Sequence, residues 1–258
     1  MTTATLADVV VEETAKPLIE FSRVEKTYSN GFQAVTPFDL SVDRGEIVSL
    51  VGPSGCGKTT VIRMAAGLSK ITGGTLTRRT DELAYVFQDP TLLAWRNVRS
   101  NVELVAKLKG VDKETRRAAA TRAIETVGLS AFEKALPRQL SGGMKMRVSL
   151  ARAITGSPDL LLMDEPFAAL DEFTRATMQR ELLRLWRAND FSAMFITHSI
   201  SEAVTLGHRV VVMASKPGRI AAVLTSPSPP DKGDTPRDEQ ALAELSSEIS
   251  AMLAGGER

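Results

Sequence analysis

The sequence predicts an α/β fold: a mostly parallel sheet flanked by helices, with strands ahead of it and a helical segment inserted in its middle. Three observations predict it. The apolar run Glu46-Ile47-Val48-Ser49-Leu50-Val51 leads directly into a glycine-rich turn, and Lys58 to Leu68 then carries Val61, Met64, Ala65 and Leu68 at the i, i+3, i+4, i+7 spacing of a helix. Compact apolar runs return at Leu160 to Asp164, Ala193 to Thr197 and Arg209 to Ala214, with the helical pattern Glu172 to Ala188 between the first two; such alternation implies parallel pairing. From Asn97 to Thr155 helical texture takes over.

The elements follow in order. Residues 1–17 read as a flexible tail, and alternation in Leu18-Ile19-Glu20-Phe21 and Phe38-Asp39-Leu40-Ser41-Val42 marks strands up to Leu50. Thr72-Gly73-Gly74 reads as a turn and Leu83 to Phe87 as a strand. Within the insertion, placed at about 89–155, Ala120, Ile124 and Val127 share a helix face that Gly128 is positioned to end. The helix Glu172 to Ala188 is expected to bury Met178, Leu182, Leu185 and Trp186. Lys216-Pro217-Gly218 separates two apolar runs as a hairpin would. The main domain therefore spans 18–225, and 226–258 holds a linker, Ser226 to Asp231 by composition, followed by an amphipathic helix from Glu239 to Leu253.

Composition narrows the function. The 258 residues are 43% hydrophobic and 24% charged, an ordinary globular mix that argues against disorder or a mostly membrane-embedded chain. A net charge of +1 gives no sign of a nucleic-acid partner. The single cysteine, Cys56, excludes an internal disulfide framework, and two histidines, His198 and His208, leave little for a metal centre. No apolar run approaches the roughly 20 residues that span a bilayer. Met1 to Pro17 carries Asp8, Glu12 and Glu13 and does not resemble a secretory signal, so a cytoplasmic location is expected.

Two glycine motifs and an acidic pair carry the chemistry. Gly52-Pro53-Ser54-Gly55-Cys56-Gly57-Lys58-Thr59 fits G-x-x-x-x-G-K-[ST], the phosphate-binding P-loop of nucleoside-triphosphatases. Glycines let successive amides face one concavity at a helix N-terminus, Lys58 adds charge for the β- and γ-phosphates, and the Thr59 hydroxyl suits magnesium. Cys56 is read as a small loop filler, with a redox role as the rarer alternative. The strand ending in Asp164-Glu165 should bring its carboxylates to the same sheet edge as Gly52, with Asp164 toward magnesium and Glu165 as general base. Leu140-Ser141-Gly142-Gly143-Met144 precedes a helix that Ser141 is placed to cap.

In this order, these residues resemble the nucleotide-binding subunits of ATP-binding-cassette transporters over about 18–225. The resemblance implies a P-loop NTPase core, an antiparallel amino-terminal sheet and an inserted helical subdomain. It implies ATP and Mg²⁺ as cofactors, with Gly52 to Thr59 and the adjoining Thr60 around the phosphates and Tyr28 stacked on adenine. Gln88 is the glutamine-loop residue, placed with Thr59 and Asp164 at the metal, and Ala168-Ala169-Leu170-Asp171 is the aspartate loop. Lys58, Glu165 and the switch residue His198 form the catalytic set, and His208 has no special role. Met144 departs from the glutamine usual there but leaves the Ser-Gly-Gly core intact.

The resemblance further implies an ATP-sandwich homodimer in which Ser141, Gly142 and Gly143 of one copy complete the other's γ-phosphate site. It implies transmembrane permease subunits, docked near Gln88 to Asn101 with Trp95 in contact, and a periplasmic or extracellular solute-binding protein acting indirectly. The protein would sit peripherally on the cytoplasmic face of the membrane. Phe87 to Val98, Pro166 to Asp171 and Lys216 to Ile220 look like the nitrate, sulfonate and taurine importer branch, where vitamin-precursor import is an alternative. The rivals are a soluble cassette acting in translation or chromosome maintenance, and a module that binds nucleotide without turnover.

Overall fold

The computed structural model describes residues 16–215, 217–233 and 235–255. The expected flexible tail therefore lies almost wholly outside the described residues, as does Lys216 of the expected hairpin turn. The chain opens with β1 (Ile19–Thr27) and β2 (Gln33–Val42), then β3 (Ile47–Val51), α1 (Lys58–Ala65), β4 (Gly73–Arg78) and β5 (Leu83–Val86). The insertion holds α2 (Val98–Val102), α3 (Leu104–Leu108), α4 (Lys113–Thr126) and α5 (Gly142–Ile154). Then come β6 (Leu160–Asp164), α6 (Glu172–Asn189), β7 (Ser192–Thr197), α7 (Ile200–Leu206), β8 (Arg209–Ala214), β9 (Arg219–Thr225) and α8 (Glu239–Gly255).

Two sheets result. β2, β1 and β4 form an antiparallel sheet in that order. The larger sheet runs β5-β6-β7-β3-β8-β9, parallel throughout except for β9, which pairs antiparallel with β8. Every residue of β3, β6 and β7 is buried, as strands covered on both faces must be. Their alternation divides the core: Ile47, Leu161, Met163 and Phe195 pack with the insertion and α6, whereas Val48, Leu50, Leu162 and Ile196 pack with α1 and the antiparallel sheet. Leu245 and Ile249 of α8 are buried over Val210 and Val212 of β8.

Three local expectations are corrected. The first helix stops at Ala65, and Leu68 is exposed: Gly67, at φ +73°, closes the helix with Gly67 N–H donating to Met64 O and Leu68 N–H donating to Arg63 O, the two bonds of a Schellman end. Gly73 and Gly74 open a strand instead of forming a turn, because β1 bulges toward them at Arg23 (φ +49°) and a Cβ on Gly74 would lie 2.2 Å from the Arg23 carbonyl oxygen. The stretch from Ser226 is not a loose linker: Arg237 donates to the Ser228 carbonyl and the Ser226 hydroxyl, and Pro230 is buried. Among the other expectations, Leu185 is only partly buried on α6.

His208 anchors the far edge of the sheet. Its Nδ1 accepts the Ile47 N–H at 3.1 Å, so the imidazole must be neutral there, and the ring meets Trp186 edge-on at 5.0 Å. Burial holds its pKa below the ordinary histidine value. The unfolded chain takes up this proton first, so the associated stability is full well above about pH 6.5 and is lost as pH falls from there through the lower folded-state pKa. His208→Asn keeps an acceptor but cannot titrate. Denaturant melts should show it weaker by about 0.5–1.5 kcal/mol at pH 7.5 from the lost ring contact, yet less steeply destabilised than the parent between pH 7.5 and 5.5.

Candidate functional site

The parallel ladder sets the floor of the site. Val51 lies opposite Thr197 and Asp164 opposite Ile196, so β3, β6 and β7 end level with one another. The chain leaving each strand passes directly into Gly52, Glu165 and His198.

The loop after β3 is shaped by close approach. A Cβ on Gly52 would lie 2.4 Å from the Met213 carbonyl, and one on Gly57 would lie 2.7 Å from Val35 Cγ2 with the backbone at φ +96°. Only glycine fits either position. Lys58 is buried and donates to the Gly52 carbonyl at 2.7 Å and the Pro53 carbonyl at 2.9 Å. The Thr59 hydroxyl donates to Asp164 Oδ1 at 3.2 Å, and Tyr85 OH donates to Oδ2 at 3.5 Å. Burial raises the Asp164 pKa, opposed by the Thr59 bond, and also raises that of the Tyr85 hydroxyl beside it.

Glu165 leaves β6 in the left-handed region, at φ +50°, with its N–H donating to the Ile196 carbonyl. That conformation is unfavourable for a non-glycine residue. Gln88 Nε2 donates to Glu165 Oε2 at 3.2 Å, and His198 Nε2 contacts Glu165 Oε1 at 2.5 Å.

One cleft of about 450 Å³ opens at this edge of the sheet. It is lined by Tyr28, Phe32, Ser54, Gly55, Gly57, Lys58, Thr59, Thr60, Gln88, Glu165 and His198, together with Ala34. Gly52, Pro53 and Cys56 of the loop do not line it, nor does Asp164, which reaches the site through its bond with Thr59. Ser141, Gly142 and Gly143 also do not line it: Ser141 caps α5, its hydroxyl accepting from Met144 N–H, and Ser141 and Gly142 are exposed. Trp95 is 76% exposed and takes no part in the core. Sequence reasoning missed Phe32, whose ring stacks near Tyr28 at 6.4 Å, and Tyr85, which reaches Asp164 from β5. The aromatic four positions after Tyr28 was a usable signal for the first; the second needed the β5–β6 pairing.

Comparison with known proteins decides the family. Residues 35–168, more than half of the chain, match the family described as ABC transporter. The chain belongs to the ABC transporter family. It is 41% identical to the aliphatic sulfonates import ATP-binding protein SsuB 2 of Pseudomonas syringae pv. tomato, over 90% of this chain and 96% of that protein. It is 40% identical to the nitrate import ATP-binding protein NrtD of a Synechocystis strain, over 87% and 89% of the two chains. Among solved structures it resembles the dimeric ATP-binding cassette MJ0796 bound to ADP and Pi, with TM-score 0.73 and 29% identity, covering 80% of this chain and 98% of that one. This ABC protein is an ATPase whose substrate is ATP. Among the described residues, no helix is long and apolar enough to cross a membrane.

Cys56 is fully buried, and burial raises its thiol pKa in spite of the neighbouring Lys58 charge. The redox alternative needs the opposite shift. Iodoacetamide at pH 8 should leave the native thiol largely unmodified and alkylate it rapidly in denaturant; comparable rates, followed by mass spectrometry, contradict the filler role.

Proposed function

We propose that this ABC ATPase powers import of a small anionic solute of the sulfonate, taurine or nitrate class through a separate membrane permease. The observation that carries the reading is the convergence of Gln88, Glu165 and His198 on the cleft that the phosphate loop floors. The names of the sulfonate and nitrate relatives support the solute class, and they do not favour a role in translation or chromosome maintenance.

The residue roles follow from chemistry. The triphosphate lies along the amides of Gly52 to Thr60, with Lys58 exchanging its loop carbonyls for phosphate oxygens and Tyr28 stacking on the base. Glu165 accepts the proton of the attacking water, while the amide of Gln88 and the imidazole of His198 fix its carboxylate. Thr59 Oγ1 and Asp164 Oδ1, 3.2 Å apart, are hard oxygen donors of the kind magnesium takes, and they would hold it, Asp164 through water. Gln88 adds an amide oxygen of the hard type magnesium takes. Among the described residues no cluster of three His, Cys, Asp or Glu could hold a metal unaided, and phosphate oxygens and water would have to complete the set. When bound, the cation neutralises phosphate charge.

Ser141 and Gly142 are exposed and Gly143 half-buried at the N-terminus of α5, available to a second copy's triphosphate in a homodimer. The similarity to a dimeric cassette supports this arrangement. Trp95, exposed beside the glutamine loop, meets the permease at the cytoplasmic face of the membrane, and an external solute-binding protein delivers the solute to that permease. The protein is thus peripheral, with no nucleic-acid partner.

Glu165→Gln should lower phosphate release by about 10²- to 10⁴-fold with ATP affinity retained, the range for loss of a general base. Near-normal turnover removes Glu165 from that role. Lys58→Ala should instead weaken ATP binding in a fluorescent-nucleotide titration. Uptake of labelled sulfonate, taurine and nitrate by vesicles holding the complex tests the solute class.

A further inference from the structure

Beyond the cleft, a buried carboxylate and an arginine on two different helices meet beneath the switch histidine. Glu202, in the first turn of α7, is 6% exposed. Its Oε2 accepts the Thr197 hydroxyl at 2.5 Å, and its Oε1 lies 3.3 Å from Arg175 Nε of α6. Arg175 Nε is off line for a hydrogen bond to that oxygen, so this contact is charge on charge. The other end of the guanidinium is directed: Nη2 donates to the Leu170 carbonyl of the aspartate loop at 3.0 Å.

Thr197 and Ser199 are the two neighbours of His198 in the chain, and Glu202 holds both. Thr197 Oγ1 donates to the carboxylate and accepts the Ser199 N–H at 3.0 Å, while Ser199 Oγ accepts the Glu202 N–H at 3.2 Å. The bend bearing His198 is thereby closed on itself. One hollow of about 320 Å³ brings Glu165, Ala168, Arg175, Thr197, His198 and Glu202 to a common wall. A carboxylate taken this far out of water is costly unless its charge and lone pairs are met, so the pair resists rearrangement.

We propose that the Thr197–Glu202–Arg175 chain is a positioning unit that holds His198 against Glu165 and ties that geometry to the aspartate loop. It acts through the histidine bend. The inference rests on the roles given above to Glu165 and His198. No function so far assigned to the site uses Arg175 or Glu202, and a bend fastened only by its own backbone would not require a buried carboxylate.

The test uses the full chain and measures kcat, KM for ATP, fluorescent-nucleotide affinity and melting temperature. Thr197→Val keeps the shape of the side chain and removes the hydroxyl. It should lower kcat by about 10-fold or more, toward the roughly 100-fold that a 1 Å misplacement costs, with KM and nucleotide affinity unchanged. Thr197→Ser restores the hydroxyl and should recover turnover. Glu202→Gln and Arg175→Gln should act in the same direction as Thr197→Val. Combined with His198→Ala, Thr197→Val should cost nothing further, because groups that act through one residue are not additive with its loss. A Thr197→Val protein with normal kcat, or one whose kcat loss adds in full to that of His198→Ala, overturns the inference. Should His198→Ala itself turn over normally, the reading of the site fails and this inference with it; an impaired His198→Ala beside an unimpaired Thr197→Val defeats the inference alone.

Discussion

The parallel ladder joining β3, β7 and β6 is the constraint on which the site depends. It sets Val51 against Thr197 and Asp164 against Ile196, so three segments far apart in the chain leave the sheet at one level. A slip of one residue in either pairing would turn buried side chains to the opposite face, and both faces are already filled by different partners. Core packing on two sides thus fixes the relative height of Gly52, Glu165 and His198. Chemistry at the carboxyl edge of such a sheet follows from where the strands end.

At that edge the structure accepts local costs. Glu165 takes a backbone conformation worth of order 1–3 kcal/mol of strain, held by its N–H bond to the Ile196 carbonyl. Asp164 is buried with its pKa raised, and Lys58 is buried on carbonyls of its own loop. Glu165 and Asp164 are set in place by the fold before substrate arrives, which is how binding energy is conserved for positioning and charge stabilisation.

Much of this was legible in the primary structure. The P-loop, the acidic pair after β6, the Ser141 cap and His198 beyond β7 all fall where local pattern puts them, because each depends on a few neighbouring residues: glycines for a curled backbone, an apolar run for a buried strand, a hydroxyl ahead of a helix. Local pattern failed where distant chain intervened. Gly73 and Gly74 resemble a turn until the bulge of β1 is seen against them. The segment from Ser226 resembles a linker until Arg237 is found bonded to it.

What the sequence determined by itself, then, is the class of fold, the family and the kinds of group available for triphosphate chemistry, since these are written in spacing and residue type. Tertiary structure alone decided which groups meet. Glu165 contacts both Gln88 and His198, Tyr85 reaches Asp164, and Arg175 on α6 finds Glu202 on α7. None of these pairings is local, and each arises because strand register and helix packing bring together side chains that no periodicity relates.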